Sequence, residues 1–316
     1  PDDAYWHSVQ KTGRQHQPEH RLASLNDYRL RYRQYHSDSM LQKLHARHPM
    51  IAIWDDHETI DSDLYAAKQH HFASDSIYAQ AKAAAVRAYF EQIPIRPHTR
   101  DIIVRSFAFG ELLNLMMLDA RYCCREAPAA KGETDNSLHI IGDLQRQWIY
   151  HQVKNRGHFS WHVFGNQVLF AHKDADRKRW PGYPADYRPL TDFLLKHADK
   201  NFIWLTGNAH NAHHYAIRHP RTGDTLAHEF LPGSVSSGNS WEKDGYTVAS
   251  LEKQRQKNDA IADLIWYDLE KHGYIILDLT PERARVEYWM VSTKLDTDYS
   301  TEMVYSYEVP AKALAN

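Results

Sequence analysis

The feature that most constrains this chain is a series of short apolar runs. Each stops abruptly at polar or charged residues, and stretches of helical periodicity separate one run from the next. Residues 50–54 end at Asp55-Asp56-His57-Glu58, and residues 202–205 end at Thr206-Gly207-Asn208-Ala209-His210. Runs of roughly four to eight apolar residues read as strands buried on both faces. Between them, Tyr28, Tyr32 and Tyr35 recur at helical spacing behind Asn26 as cap. Residues 39–47 read as a second helix closed by Pro49, the Ala-rich residues 77–92 as a third closed by Pro94, and 143–156 as a fourth ending at Gly157. A further helix is expected at 190–198. A long charged one is expected at 250–271, with Ile261, Leu264, Ile265 and Leu269 as its apolar stripe. Strands are expected at 102–109 and 112–118, at 159–164 and 167–171 as a hairpin about Gly165-Asn166, and at 213–218 and 225–231. Three more at 274–279, 284–291 and 303–309 close the chain. The alternation predicts an α/β fold with a strand-rich C-terminal part.

Composition narrows the function classes. A chain of 316 residues can bury a large core, and its aromatic content excludes intrinsic disorder. The longest apolar runs, such as residues 275–279, fall far short of the ~20 residues a membrane-spanning helix needs. A net charge of -2 argues against a broad nucleic-acid footprint. The two cysteines, Cys123 and Cys124, are adjacent and form no disulfide framework. Histidine is in excess, at 22 residues, and it is the commonest metal ligand.

Chemistry concentrates at the two strand ends, where open α/β sheets place their ligands. Adjacent carboxylates beside a histidine are costly to bury without a cation. Carboxylate oxygens suit hard cations and imidazole suits transition metals. At the second end, Gly207 allows close backbone approach, while Asn208 and His210 offer an oxygen and a nitrogen. Asp56, His57, Asn208 and His210 are therefore expected to converge on one centre. The bland alternatives are a solvated acidic turn and a polar loop in a His-rich chain. Other candidates are weaker. His172 follows an expected strand, and His70 and His71 read as solvated. Asp119 and Arg121 read as a structural ion pair, with an anion clamp by Arg121 as the alternative. Trp180 and Tyr183 read either as an aromatic wall or as a packed loop. No phosphate-binding glycine loop, dinucleotide fingerprint or nucleophilic-serine elbow is present.

Taken in order, these residues resemble the PhoD-like alkaline phosphatase family, related to the calcineurin-like metallophosphatases. The resemblance runs through Leu25-Asn26-Asp27-Tyr28-Arg29, the string Trp54-Asp55-Asp56-His57-Glu58, Ala88-Tyr89-Phe90-Glu91, Leu118-Asp119 with Arg121, and Gly165-Asn166-Gln167-Val168. It continues through Trp180 with Gly182-Tyr183-Pro184, Leu205 to His210, and Glu229-Phe230. It implies a β-sandwich flanked by helices, a multinuclear centre of Ca2+ and Fe3+, and hydrolysis of small phosphate mono- or diesters. On the same resemblance Asp55, Asp56, Asn208 and His210 are metal ligands. His57 is the acid or charge stabiliser, and Arg121, Trp180 and Tyr183 are substrate-binding. A periplasmic or extracellular location is expected. The family's upstream ligand-bearing strand ends are not found. The chain is therefore expected to be a single catalytic domain over residues 1–316, N-terminally incomplete, with a missing or separate segment completing the site. Asn208 stands where Asp is usual and Asp61 near where Asn is usual, an exchange that conserves formal charge. The rival readings are a catalytically silent fragment or binding protein, and an unrelated zinc hydrolase built on the histidine loop.

Overall fold

The computed structural model describes residues 15–58, 75–96, 102–171, 177–243 and 247–312. The chain divides into two compact units, one of residues 1–103 with 121–123, the other of residues 104–120 with 124–316.

In the first unit, α1 (Leu25–His36) starts at Ser24 rather than at Asn26. The Ser24 hydroxyl accepts the Asp27 N–H at 3.2 Å and the Asp27 carboxylate accepts the Ser24 N–H at 2.8 Å, a reciprocal capping box. The second helix, α2 (Ser39–Arg47), falls where the pattern puts it, and the Ala-rich segment forms α3 (Asp75–Gln92). The small side chains of α3 admit close packing: Tyr28 lies against Ala85 and Ala88. Trp54 is fully buried with Val86, Tyr89 and Ile103. Residues 50–54 form no strand, and Met50 is exposed. A run this short does not distinguish a strand from a segment anchored by one large ring, and here the Trp54 anchor prevails.

The second unit is a β-sandwich with helices on its outer face. A seven-stranded sheet runs in the order β1-β2-β3-β4-β6-β5-β7, from β1 (Arg105–Phe109), β2 (Leu113–Met117), β3 (Trp161–Asn166), β4 (Phe202–Thr206), β5 (Ala212–Arg218), β6 (Thr225–Pro232) and β7 (Leu264–Asp268). Its centre, β2-β3-β4-β6, is parallel. The antiparallel β8 (His272–Leu279), β9 (Arg283–Val291) and β10 (Thr301–Pro310) make the second sheet. Alternation along each strand sorts the two cores. Trp161, Val163, Ile203 and Phe230 meet Val286, Tyr288 and Met290 between the sheets. On the other face Met116, Phe164 and Trp204 meet α4 (Gly142–Asn155) and α5 (Pro184–Lys196) through Ile149, Val153, Leu190 and Leu194. Among the described residues no helix is long and apolar enough to cross a membrane.

Two sequence expectations are corrected here. Gly165-Asn166 is not a hairpin turn; it lies inside β3, with Gly165 paired to Met117 and to Leu205. A Cβ on Gly165 would stand 2.5 Å from the Met117 sulfur, so this glycine serves close strand packing. The helix expected at 250–271 is shorter. After the small α6 (Ser240–Lys243), α7 (Val248–Asp259) stops before Ile261, and residues 264–268 form β7 on the edge beside β5. Ile261 from the irregular connection and Leu264 from the start of β7 pack into the helix-side core. The β-branched and aromatic content of Leu264-Ile265-Trp266-Tyr267 favours the strand.

Two histidines lie between the sheets. His214 Nε2 and His228 Nδ1 are 3.0 Å apart, and His214 Nδ1 is 2.9 Å from the Tyr305 hydroxyl. Phe230 and Tyr307 pack on both rings. Burial lowers His214 to about 3, aided by the neighbouring His228, and lowers His228 to about 4, aided by Arg218 and Lys312. Both imidazoles are thus neutral in the fold, whereas in the unfolded chain they titrate at about 6.5. Below that pH the unfolded state takes up protons that the folded state refuses. Stability should therefore fall by about 1.4 kcal/mol per pH unit per imidazole, from about pH 6.5 down to about pH 4. Urea unfolding at successive pH values checks this. The His214→Gln, His228→Gln double variant should show a shallower pH slope than the wild type, and an identical slope would refute the assignment.

Candidate active site

The carboxylate cluster of the first unit grows from the Trp54 anchor. That ring lies 5.3 Å from Tyr89 and 5.0 Å from Tyr122, which fixes the backbone leading into residues 55–58 and the segment carrying Arg121. Arg121 Nε donates to Asp55 Oδ1 at 2.6 Å, and Arg121 Nη2 is 3.7 Å from Asp56 Oδ2. Arg121 and Asp56 are only 4% and 6% exposed. The Asp55 N–H donates to Glu58 Oε2 at 2.7 Å, and the His57 N–H to Asp56 Oδ1 at 3.0 Å, while His57 itself is exposed. Burial pushes Asp55 up to about 7; Arg121 opposes that, and Asp56 and Glu58 add to it. Burial also raises Glu58. Two carboxylates thus share one guanidinium, with Glu58 beside Asp55. Clustered carboxylate oxygens of this kind suit a hard cation.

The second group lies on the turn after β4. Asn208 and His210 have φ of 67° and 60°, and they are the only non-glycine residues with positive φ among those described. Such backbone costs of order 1–3 kcal/mol per residue and concentrates at functional sites. His210 Nδ1 lies 3.0 Å from the Gly238 carbonyl. Behind the turn is a buried polar brace. The Thr206 hydroxyl donates to Glu229 at 2.6 Å and accepts from Asn166 Nδ2 at 3.1 Å. Glu229 also accepts the Phe170 and Ala171 N–H groups at 3.0 and 2.7 Å, holding residues that were expected to form a strand. Burial raises Glu229 to about 7, against these donors. Sequence reasoning gave Glu229 no role. The available signal was a lone carboxylate inside the apolar run of residues 226–231.

The remaining candidates divide. Trp180 and Tyr183 are fully buried in the helix-side core, the placement of a packed loop. Trp180 donates to Asn166 Oδ1 at 3.3 Å, and the Tyr183 hydroxyl takes Arg125 Nε at 3.1 Å. Asp61, His70, His71 and His172 lie outside the described residues. Asp55, Asp56, His57 and Arg121 belong to the first unit, and Asn208, His210, Trp180 and Tyr183 to the second.

A profile of the PhoD-like phosphatase family matches residues 2–288. The chain belongs to the PhoD-like phosphatase family. The matched span contains both candidate groups. Alkaline phosphatase D of Bacillus subtilis (strain 168) is 28% identical over 293 residues, covering 84% of this chain and 48% of that protein. This PhoD-like chain thus spans about half the length of that curated relative. A solved structure of PhoD superposes with a TM-score of 0.77 at 23% identity, over 92% of this chain and 58% of that one. That likeness bears out the expected α/β sandwich with flanking helices.

One further cluster has metal-like spacing: the ligand atoms of His139, Asp143 and Asp186 lie within 4.8 Å of one another. Its oxygens already have donors. Ile141 caps α4 without a side-chain bond, and the buried Asp186 supplies that bond from α5. It takes the N–H groups of Ile140, Ile141 and Gly142 at 2.8 to 3.0 Å, and Arg146 Nη1 at 2.8 Å. Burial works against the carboxylate, but these donors outweigh it and hold Asp186 below the usual carboxylate range. Asp186→Ala leaves three N–H groups without their acceptor and leaves Arg146 only Ala185 and Asp143, and it should destabilise the protein by about 3–5 kcal/mol. Urea unfolding checks this, and the stability difference between wild type and variant should be the same with and without chelator if the cluster is the helix cap described.

Proposed function

We propose that this chain hydrolyses small phosphate mono- or diesters with the help of bound metal ions, through ligands that include Asp55, Asp56, Asn208 and His210. The observation that carries the reading is the carboxylate cluster of residues 55–58, gathered about the buried Arg121 and inside the span matched by the phosphatase family. Calcium with iron is the pairing the family resemblance implies, and the mixture of carboxylate, amide and imidazole donors suits it. When bound, such cations neutralise phosphate oxygens and make a water nucleophilic near neutral pH.

The chain's own groups divide the remaining work. Arg121 holds Asp55 and Asp56 through one oxygen of each and so orients both carboxylates. His57 is exposed one residue beyond Asp56 and is the group that would protonate the leaving oxygen or stabilise its developing charge. Arg121 serves the carboxylates and not the substrate in this reading, which replaces the anion-clamp alternative.

The test pairs activity with metal content. Asp56→Asn should lose bound metal and hydrolysis of an aryl phosphate together, each by about 10- to 100-fold or more. Unchanged metal content and activity would remove Asp56 from the site. A wild-type chain that holds metal but turns over neither monoester nor diester would favour a silent relative.

A further inference from the structure

The turn that carries His210 is tied to the loop of residues 233–240 from several sides. His210 Nδ1 faces the Gly238 carbonyl at 3.0 Å, and the Ser234 hydroxyl is 3.4 Å from the His210 carbonyl. Next along the chain, Asn211 Nδ2 donates to Ser240 Oγ at 2.7 Å, and Ser240 N–H returns to Asn211 Oδ1 at 3.0 Å. The approach is close enough to demand glycine at its start. Gly233 has φ of 82°, and a Cβ there would stand 3.3 Å from the Ala212 nitrogen.

The loop is itself clamped from beneath. His272, buried at the start of β8, places Nδ1 3.1 Å from the Ser234 carbonyl and 3.0 Å from its hydroxyl. That hydroxyl lies 2.6 Å from the Ser237 carbonyl, to which it donates. Asn239 is fully buried, with Nδ2 3.3 Å from His272 Nε2 and 2.8 Å from the Glu270 carbonyl; its Oδ1 takes the Glu242 N–H at 3.0 Å. His272 donates from Nδ1 to the Ser234 carbonyl, its Nε2 lies between Asn239 Nδ2 and Glu242 Oε1, 3.4 Å from the latter, and Lys294 bonds both Glu242 and the Ser236 carbonyl.

We propose that Asn239 and His272 are positioning residues for His210: they fix the loop whose Gly238 carbonyl takes the Nδ1 proton, so that Nε2 is the nitrogen His210 presents to a metal ion. A carbonyl accepts only, so the hydrogen bond at Nδ1 selects the tautomer and orients the ring, as the outer partners of metal-binding histidines do. The metal in this statement rests on the proposed function, whereas the tautomer does not.

The experiment uses the full chain with nitrogen-15-labelled histidine. Long-range proton–nitrogen correlation in the metal-free protein should show His210 protonated at Nδ1, with Nε2 unprotonated. Asn239→Leu, which removes the clamp's amide at similar volume, should convert His210 to a mixture of tautomers and weaken binding of Mn2+ alone by about 10- to 100-fold. His272→Phe is the second variant and should do the same. Protonation at Nε2 in the wild type overturns the proposal without any variant. An unchanged His210 tautomer in a folded variant also overturns it, because loss of stability alone does not require a tautomer to change. Absence of Mn2+ binding by the wild type overturns the metal reading, and the tautomer spectra then still decide whether the clamp positions His210.

Discussion

Replacing His57 with alanine is expected to slow hydrolysis of an aryl phosphate by about 100- to 10,000-fold while leaving bound metal at wild-type stoichiometry. The asymmetry follows from where the side chain stands. His57 contributes its N–H to the Asp56 carboxylate, a backbone contact that alanine keeps, and the residue is exposed. Stability should therefore change little, and the loss should fall on turnover rather than on folding. A substrate with a better leaving group should lose less, because it depends less on protonation of the leaving oxygen. Turnover of a graded series of aryl phosphates, with metal content measured on the same preparations, checks this. Parallel loss of metal and activity would make His57 a ligand.

The second large effect is expected at Arg121. Its guanidinium is almost wholly buried and is the cation that holds Asp55 and Asp56. Arg121→Met keeps much of the volume but leaves the carboxylates without that cation. Breaking one partner out of such a buried group costs about 3–5 kcal/mol. The metal-free protein should lose that much stability in urea. Calcium or manganese should restore more stability to the variant than to the wild type, because an ion replaces the missing positive charge. Equal stabilisation of both proteins by metal would mean that the cation and Arg121 do not act on the same carboxylates.

Much of the architecture was legible in the sequence because its signals were local and repeated. The Ala-rich run and its closing proline mark α3 to within two residues, and the alternation in residues 284–291 marks β9. The misreadings share a cause. Gly165 looks like a turn residue because glycine marks turns, yet its missing side chain makes room for Met117 on the neighbouring strand, a fact of the sheet and not of its own segment. Ile261, Leu264 and Leu269 fit a helical stripe, but sheet pairing to β5 overrides periodicity in the second half of that stretch. Residues 50–54 carry strand-like hydrophobicity that only Trp54 uses in a fully buried position.

The site was legible as composition and not as geometry. Clustered charge after an apolar run drew attention to residues 55–58, and a Gly-Asn-Ala-His turn drew it to Asn208 and His210, both of which carry strained backbone. The partners that hold these groups are remote in sequence. Arg121 reaches Asp55 across 66 residues, and Glu229 reaches Phe170 across 59. Asn239 and His272, 33 residues apart, join beneath the His210 loop. Nothing in the spacing of such residues announces the contact, because only the folded sheets bring them together.

The most direct test of metal-dependent phosphoester hydrolysis is to strip the purified chain with chelator, confirm by circular dichroism that it stays folded, and assay an aryl phosphate monoester and diester before and after adding back Ca2+ and Fe3+. The account predicts that activity disappears on stripping and returns with the ions in the wild type, but not in Asp56→Asn. Full activity in the stripped, folded protein would contradict it.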